Sequence, residues 1–311
     1  MLDTRQLQYF AAICEHGSLS RASSNLNVAA SALSHHLAQL EARFGQPLFL
    51  RKPRGMEPTA AGRRLHEHAR AILRAVTSAE ADMADQEGKI SGPVSVGMSY
   101  SAVKAIGVPF ISQVVRDFPA VQLALTESLS GVALPTLMAS EVDMALIYNP
   151  LNDPMFDSVP VLEEPLVCVG RPEIIGDTDE PIRFEEVLGL PIILLRQGIS
   201  ARAILDDTVL LKKIEARAVL QMNSVQAIAG SLVAGLGCVI GTKLFMQDEL
   251  DRGTISARPI IEPELSRTLH LTRLASRPPT YASEAIRDLL LSHAREAVRS
   301  GVWDAQIVER G

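Results

Sequence analysis

The strongest constraint on the fold lies in residues 1–60, where three short apolar stripes repeat with helical spacing. The first stripe ends at Gly17, Ser18 is placed to cap the second, and the third ends at Gly45. Spacings of three and four residues put each stripe on one face of a helix. With a turn around Asn27 between the second and third helices, the pattern predicts a helix-turn-helix. The stripes are Leu7, Phe10, Ala11 and Cys14; Leu19, Ala22 and Leu26; and Leu33, Leu37, Leu40 and Phe44.

Positive charge is concentrated at the amino-terminal end. Residues 1–74 hold ten Lys and Arg against five Asp and Glu, a net charge of +5, whereas the rest of the chain has a net charge of −11. The segment QPLFLRKPRGMEPT (46–59) reads as two short strands around a turn with Arg51, Lys52 and Arg54. Clustered Lys and Arg residues are typical of surfaces that meet phosphates. We therefore expect a basic two-stranded wing on a module that binds nucleic acid, attached to an acidic body with another task.

The third predicted helix has a polar face that points away from its apolar stripe. At 100° per residue, His35 falls opposite the stripe, whereas His36 lies on a flank close to it. The two neighbouring rings therefore point in different directions and cannot share a metal ion, so no metal site is expected. His35 can instead reach a base edge or a phosphate. The residues expected to contact DNA are Ala30, Ser31, Ser34, His35, Ala38, Arg51, Lys52 and Arg54.

A long helix is predicted from Thr59 onwards. Its apolar residues recur at intervals of 4, 3, 4, 3 and 4, which is the heptad spacing of a coiled-coil seam. The alternative is a helix that packs on its own domain. A narrow seam with polar residues elsewhere favours a second helix from a partner chain, so a homodimer is expected. The predicted dimer residues are Leu65, Ala69, Ile72, Val76, Ala79 and Met83.

Beyond the linker GKISGP (88–93), predicted strands and helices alternate in two successive blocks. This alternation predicts parallel sheets covered by helices, in two sub-domains with a cleft between them. Ligands in such folds bind where strands end and helices begin. The residues expected to bind a ligand there are Ser99, Tyr100, Ser101, Ser128, Ser130, Arg196, Ser200, Asn223 and Ser224.

These cleft residues favour binding over catalysis. They offer hydroxyls, an amide, helix amino termini and one arginine, which suit a small organic anion. They include no acid–base pair, so neither an enzyme nor a cofactor is expected. The alternative is an enzyme on the same fold with an accessory DNA-binding module.

The predicted domains are a DNA-binding domain at 1–58, a linker helix at 59–89 and a ligand-binding domain at 90–311. The last is divided into sub-domain I (about 90–161 and 268–303) and sub-domain II (about 162–267). The amino terminus lacks the basic region and apolar run of a signal peptide, and no apolar stretch approaches the roughly 18 residues of a membrane span. A cytoplasmic location without membrane association is expected.

The chain resembles the LysR-type transcriptional regulators over essentially its whole length. The resemblance is carried by RQLQYFAAICEHGSLSRAS, by LNVAASALSHHLAQLEARFGQPLFLRKPRGMEPTAAG and, in the body, by FPAVQLALTE and EVDMALIY. The stretch 82–148 is similar to the nitrogen assimilation control regulators. The chain departs from the family at Ala30 and Ser31, where Gln-Pro is common, and at His35, near which arginine or glutamine is frequent.

The resemblance implies an α/β protein with a winged helix-turn-helix, a linker-helix dimer and a periplasmic-binding-protein-like effector domain. It further implies promoter DNA and a small organic effector as partners, assembly into a homotetramer, and RNA polymerase as a further partner. The departures in the third helix imply that the family's consensus DNA site does not transfer unchanged.

Overall fold

A computed structural model describes most of the chain, which divides into two compact units, 1–93 with 138–141 and 94–137 with 142–311. For residues 128 and 130–133 only the backbone is described. The residues described are 2–53, 55–83, 90–128, 130–195 and 205–308.

The amino-terminal unit contains the three predicted helices and the predicted wing. Gly17, with φ of 58°, and Gly45, with φ of 66°, end the first and third helices in the left-handed conformation. The Ser18 hydroxyl accepts a hydrogen bond from the Arg21 amide at 3.5 Å and so caps the second helix. The elements are α1 Thr4–His16, α2 Leu19–Leu26, α3 Ala30–Phe44, β1 Phe49–Lys52, β2 Gly55–Pro58 and α4 Ala60–Met83.

One apolar core fills this unit, and Phe44 is not part of it. The sequence predicted Phe44 as a core residue, but its side chain is 38% exposed. Phe44 is the last residue of α3, one turn beyond Leu40, at which the α3 contribution to the core ends. The buried core residues are Leu7, Phe10, Ala12, Ile13, Ala22, Leu33, Leu37, Leu40, Leu48, Phe49, Leu65 and Ala69.

The wing is tied to the end of α1 through a close backbone approach. The Met56 amide donates to the Gly17 carbonyl at 2.8 Å. A Cβ at Gly55, whose φ is +135°, would lie 2.3 Å from the same carbonyl oxygen, so a side chain there would displace the wing. After the wing, the Thr59 hydroxyl accepts from the Gly62 amide at 3.0 Å and starts α4, as predicted.

The second unit alternates strands and short helices. Residues 100–117 form one helical segment with a π-helical turn in the middle. The first half comprises β3 Gly92–Ser99, α5 Tyr100–Ala102, the π turn Val103–Gly107, α6 Val108–Asp117, β4 Val121–Ser128, α7 Ser130–Met138, β5 Met144–Tyr148 and β6 Phe156–Pro165. The second half comprises β7 Val167–Gly170, α8 Pro172–Ile175, β8 Ile182–Arg183, α9 Phe184–Val187, β9 Ile192–Leu195, α10 Thr208–Arg217, β10 Ala218–Met222, α11 Val225–Val233, β11 Cys238–Gly241, a 3-10 turn Lys243–Met246, α12 Gln247–Asp251, β12 Ser256–Ile261, β13 Ser266–Leu274, α13 Tyr281–Arg299 and β14 Gln306–Ile307.

These strands form two six-stranded sheets, which confirms two α/β sub-domains but corrects the prediction of parallel sheets. The first sheet has the order β14-β6-β13-β5-β3-β4, and the second has the order β10-β9-β11-β7-β12-β8. Strand β13 is antiparallel to β5 and β6, and β7 is antiparallel to β11 and β12. The chain passes from the first sheet to the second through β6 and β7 and returns through β12 and β13. Each of these four strands is therefore antiparallel to at least one neighbouring strand in its sheet.

The alternation of the second block also predicts a helix at 200–213, and the structure describes residues 208–213 of it as part of α10. Helix α10 begins at Thr208, because the Asp207 carboxylate caps it by accepting from the amides of Val209 and Leu210 at 2.8 and 3.1 Å. Residues 200–204 of the predicted helix lie outside the described part of the chain. Within the described residues, the helices are too short or too polar to span a bilayer.

Candidate nucleic-acid interface and ligand cavity

The outward face of α3 carries the residues that the sequence assigned to DNA. Ala30, Ser31, His35 and Ala38 are exposed and Ser34 is half-buried. The apolar stripe of the same helix is buried on the opposite side. A contact of this face with DNA stays a prediction, but the face is free within the described amino-terminal unit.

The two histidines of α3 have different surroundings. His35 is exposed, and its Nε2 lies 2.9 Å from Nε2 of Gln39, whose Oε1 accepts from Nε2 of Gln6 at 3.1 Å. His36 is half-buried with its ring edge against Tyr9, at 5.1 Å between ring centroids. The Gln39 amide restrains His35 and leaves its other ring nitrogen for an outside partner, whereas His36 mainly packs.

The wing presents less free positive charge than its sequence suggests. Arg51 and Lys52 are exposed on β1, but the Lys52 ammonium forms an ion pair with Glu57 on β2. The hydrogen bond and the charge of Lys52 lower the pKa of Glu57, which is exposed. Arg54 lies outside the described residues. Arg51 is therefore the unpaired wing cation among the described members of the predicted set.

The predicted dimer seam on α4 splits into two parts that differ in exposure, and the buried Ala69 is a correction to it. Leu65 is 9% exposed and Ala69 is 0% exposed, and both pack in the core of the amino-terminal unit. Ala69 has no exposed surface and cannot contact a partner, so there the packing alternative holds, whereas a partner contact of Leu65 stays a prediction. Further along, Ile72 is 40% and Met83 is 73% exposed. Ala79 is also exposed and Val76 is half-buried, so the second part of the seam is open to a partner.

A cavity lies between the two sheets of the second unit. Three of the predicted residues, Ser99, Tyr100 and Ser101, line it. They stand at the end of β3 and the start of the helical segment that follows. The other lining residues are Tyr148, Leu166, Ile192, Ile193, Leu194, Leu195, Ile214, Ile228, Val239, Ile240, Gly241, Thr242, Phe245 and Arg267.

The remaining predicted cleft residues do not join these three. Asn223 and Ser224 are exposed and do not line the cavity. Ser224 instead caps α11, since its hydroxyl accepts from the Ala227 amide at 3.2 Å. The other four give no test of the prediction. Ser128 and Ser130 lie in β4 and α7 with undescribed side chains, and Arg196 and Ser200 lie outside the described residues.

The sequence reasoning missed the most important polar residue of the cavity. Arg267 on β13 is 9% exposed and forms an ion pair with Glu164, which is 0% exposed, at 2.9 Å. The guanidinium carbon lies 3.6 Å from the centroid of the Tyr148 ring. A signal was present: Arg267 is in phase with Leu269 and Leu271 in the alternation of β13, and that phase is the buried one.

The polar end of the cavity, formed by Ser99, Ser101, Tyr148, Thr242 and Arg267, joins the two sheets. From β13 of the first sheet, Nη2 of Arg267 donates to the Ser101 hydroxyl at 3.1 Å and to the Thr242 hydroxyl, next to β11 of the second sheet, at 3.4 Å. Burial, and then the charge of Glu164, raise the pKa of Tyr148 well above its usual value, so its hydroxyl stays neutral.

The described lining of the cavity suits binding better than acid–base catalysis. These residues include no histidine, cysteine, lysine or carboxylate, and therefore no general acid–base pair. The described residues also include no cluster of side chains that could hold a metal ion.

Comparisons with known proteins match two parts of the chain. Residues 87–295 match the LysR substrate binding domain, and residues 4–63 match the bacterial regulatory helix-turn-helix protein, lysR family. The nitrogen assimilation regulatory protein nac of Klebsiella aerogenes is 29% identical over 293 residues, which cover 94% of this chain and 95% of the relative. The resemblance found in the sequence, including that to the nitrogen assimilation regulators, is thereby confirmed.

Solved structures with the same fold include a full-length OxyR variant from Pseudomonas aeruginosa, with a TM-score of 0.72 at 18% identity, covering 100% of this chain and 99% of that one. Full-length CbnR complexed with its target DNA has a TM-score of 0.64 at 19% identity, and the match covers 95% of this chain and 100% of that one. At such identities the likeness shows the fold.

The matched families and relatives are regulators, which confirms the prediction that the chain is not an enzyme and leaves the enzyme alternative unsupported. The family binds DNA through the amino-terminal match and an effector through the second. The chain belongs to the LysR family of DNA-binding transcriptional regulators.

Proposed function

We propose that this regulator reads promoter DNA with the outward face of α3, while the wing contacts the phosphate backbone. The exposed His35, held by Gln39 beside Ser31, carries the proposal, because a helix laid in the major groove presents such side chains to base edges. The net charge of +5 in residues 1–74 supplies the attraction to phosphates. The proposed domains remain 1–58, 59–89 and 90–311. Because bacterial promoter DNA is cytoplasmic, the protein would act there and next to RNA polymerase.

The DNA proposal is tested by comparing affinity and sequence preference. His35→Ala is expected to change the preferred bases, since each good side-chain pair is worth about 1–3 kcal/mol of discrimination. Arg51→Ala and Arg54→Ala are expected to weaken binding to all sequences and to flatten the salt dependence by about one unit each. His68→Ala, on an exposed position of α4, is the matched control for His35. Unchanged preference in His35→Ala together with unchanged salt dependence in both arginine variants would refute the assignment.

We further propose that a small organic anion binds in the inter-sheet cavity and alters promoter affinity. Among its described lining residues the cavity has a cation, Arg267, beside hydroxyl groups and apolar side chains, which suits a small charged ligand. A ligand changes promoter binding only as far as it favours one state of the protein, typically by about 1–3 kcal/mol. The test is promoter footprinting with and without a ligand found by thermal shift. Failure of every cavity ligand to change promoter affinity would count against this regulation.

Self-association is proposed at two places. On α4, the open part of the seam (Ile72, Val76, Ala79 and Met83) would pair with the same helix of a second copy. On the effector domain, α6 exposes Val108, Ile111 and Val115 at 74%, 38% and 69%, an apolar stripe on one helix face. Val115→Glu is expected to reduce a tetramer to a dimer in sedimentation, whereas Arg116→Glu, exposed beside it, leaves the assembly unchanged.

A further inference from the structure

The guanidinium of Arg267 has N–H donors that the described residues of the protein leave without an acceptor. Nε donates to Oε2 of Glu164 at 2.9 Å, and Nη2 is shared between Glu164 and the hydroxyls of Ser101 and Thr242. Nη1 makes no hydrogen bond with any residue in the described part of the chain, and Arg267 lines the cavity. Two N–H groups of a guanidinium fork are therefore left for a ligand acceptor.

The countercharge of Arg267 lies behind it rather than in the cavity. Glu164 does not line the cavity. Its Oε2 accepts from Arg267 and its Oε1 accepts from Nε1 of Trp303. A ligand consequently meets the donor end of the guanidinium and not the carboxylate, so the site selects an acceptor.

A buried hydroxyl lines the same end of the cavity without a partner. Ser99 is 3% exposed, and its hydroxyl makes no hydrogen bond with the described residues. A buried polar group without a partner is unfavourable, and a ligand oxygen would satisfy it. The Ser99 hydroxyl and Nη1 of Arg267, together at one end of the cavity, indicate an oxygen-rich ligand group.

Apart from Arg267 and the hydroxyl groups, the described part of the wall is apolar and offers a partner for one ligand charge. Arg267 is the only charged side chain among the described lining residues. A second charged group on the ligand would lie against Ile193, Ile228, Val239 and Phe245 without a partner, which is strongly unfavourable. We propose that the effector is a monocarboxylate with a branched or aromatic apolar body, bound with its carboxylate at Nη1 of Arg267 and the hydroxyl of Ser99, and with its body between the sheets. The proposal rests on effector binding in this cavity and adds the class and orientation of the ligand.

The chain carries its own reporter for this site. Trp303 is its single tryptophan, is 1% exposed, and donates to the same Glu164 that holds Arg267. A carboxylate that binds Arg267 changes the field at Glu164 and hence the Trp303 fluorescence. The full-length protein is titrated with 4-methylpentanoate and phenylacetate, with 4-methylpentanamide as the uncharged isostere, and with succinate as a dianion without an apolar body.

Saturable fluorescence changes are expected with at least one of the two monocarboxylates. The amide is expected to bind roughly 10- to 100-fold more weakly, because hydrogen bonds to a charged group are worth about 1.5–3 kcal/mol. Succinate is expected to bind more weakly than the better monocarboxylate. Binding of the amide as tightly as the acid, tighter binding of succinate, or no saturable response to either monocarboxylate would overturn the proposal.

Variants separate recognition from folding. Ser99→Ala is expected to weaken monocarboxylate binding about five- to tenfold, the loss of one hydrogen bond, whereas Ser224→Ala on α11 leaves it unchanged. Arg267→Met alone would leave the buried carboxylate of Glu164 without its cation. It is therefore combined with Glu164→Gln, whose amide oxygen still accepts a hydrogen bond from Trp303. In that double variant the preference for acid over amide is expected to disappear, and its persistence would overturn the role of Arg267.

Promoter binding is measured alongside to separate this proposal from the regulatory one. A monocarboxylate that changes the Trp303 fluorescence but leaves promoter affinity unchanged supports the ligand class and contradicts regulation by this cavity. An amide that binds equally well and changes promoter affinity contradicts the ligand class and leaves regulation intact.

Discussion

Two serines that look equivalent in the sequence are expected to respond in opposite directions to the same substitution. The Ser99 hydroxyl is buried at 3% exposure, has no partner among the described residues, and makes no capping bond to the helix that follows it. An unsatisfied buried hydroxyl costs about 1–3 kcal/mol, so Ser99→Ala is expected to raise the free energy of unfolding by about 1 kcal/mol. The Ser224 hydroxyl accepts from the Ala227 amide and caps α11. Ser224→Ala is expected to lower the same free energy by about 1 kcal/mol, the usual loss for a helix cap.

Thermal unfolding measures this difference directly. Both serines belong to the second unit, where 1 kcal/mol corresponds to a Tm change of about 2–4 °C for a unit of this size. The two Tm values are therefore expected to differ by about 4–8 °C, with wild type between them. The comparison is made without ligand, because a bound monocarboxylate would stabilise wild type and Ser224→Ala more than Ser99→Ala. A Ser99→Ala variant with a Tm below that of Ser224→Ala would show that the Ser99 hydroxyl has a structural partner, and the reasoning would fail.

Three further predictions concern the wing, the seam and pH. Glu57→Gln releases Lys52 for phosphate contact, so DNA binding is expected to tighten for all sequences and its salt slope to steepen by up to about one unit in fluorescence anisotropy. Val76→Glu is expected to dissociate the α4 dimer in sedimentation, whereas Thr77→Glu, exposed beside it, leaves the dimer intact. Burial lowers the pKa of His270 below its ordinary 6.5. As the pH falls, the unfolded chain takes up the His270 proton before the folded chain does. The free energy of unfolding, measured in urea, is therefore expected to fall as the pH drops below about 6.5, and to fall less in His270→Gln.

The amino-terminal elements were predictable because their signals are local. Gly17 and Gly45 end helices by adopting a positive φ that other residues avoid, and Ser18 caps through an amide three residues away. The rotation of 100° per residue about the axis of α3 also predicts that His35 and His36 point in different directions. None of these inferences needs information from distant parts of the chain.

The seam on α4 shows where a local pattern is insufficient. Spacings of three and four residues describe any apolar helix face, whether its partner is another chain or the same domain. Leu65 and Ala69 continue the pattern of Ile72 and Val76, but the chain folds its own core against the first pair. Only long-range packing decides at which residue the covered part of the stripe ends.

The sheets and the cavity also depend on long-range order. Strands β6 and β12 carry the chain towards and away from the second sheet, and no local signal gives their antiparallel direction. Among the serines chosen for the cleft, Ser99 and Ser224 both stand before a helix, yet only Ser99 lines the cavity. Arg267 could have been found, since the alternation of β13 places it in the buried phase, where a charged residue is unusual.

The buried pair of Arg267 and Glu164 is better explained by recognition than by stability. Removing two charges from water offsets most of their attraction, so a neutral pair of similar size is often equally stable or more stable. Glu164 has both oxygens occupied, one by Arg267 and one by Trp303, and the Tyr148 ring lies 3.6 Å below the guanidinium carbon. These contacts fix the fork before a ligand arrives, so little side-chain freedom is lost on binding. The double variant Glu164→Gln with Arg267→Met is accordingly expected to keep or raise the unfolding free energy in urea while losing the preference for an acid over its amide. A large loss of stability in that variant would instead assign the pair a structural role.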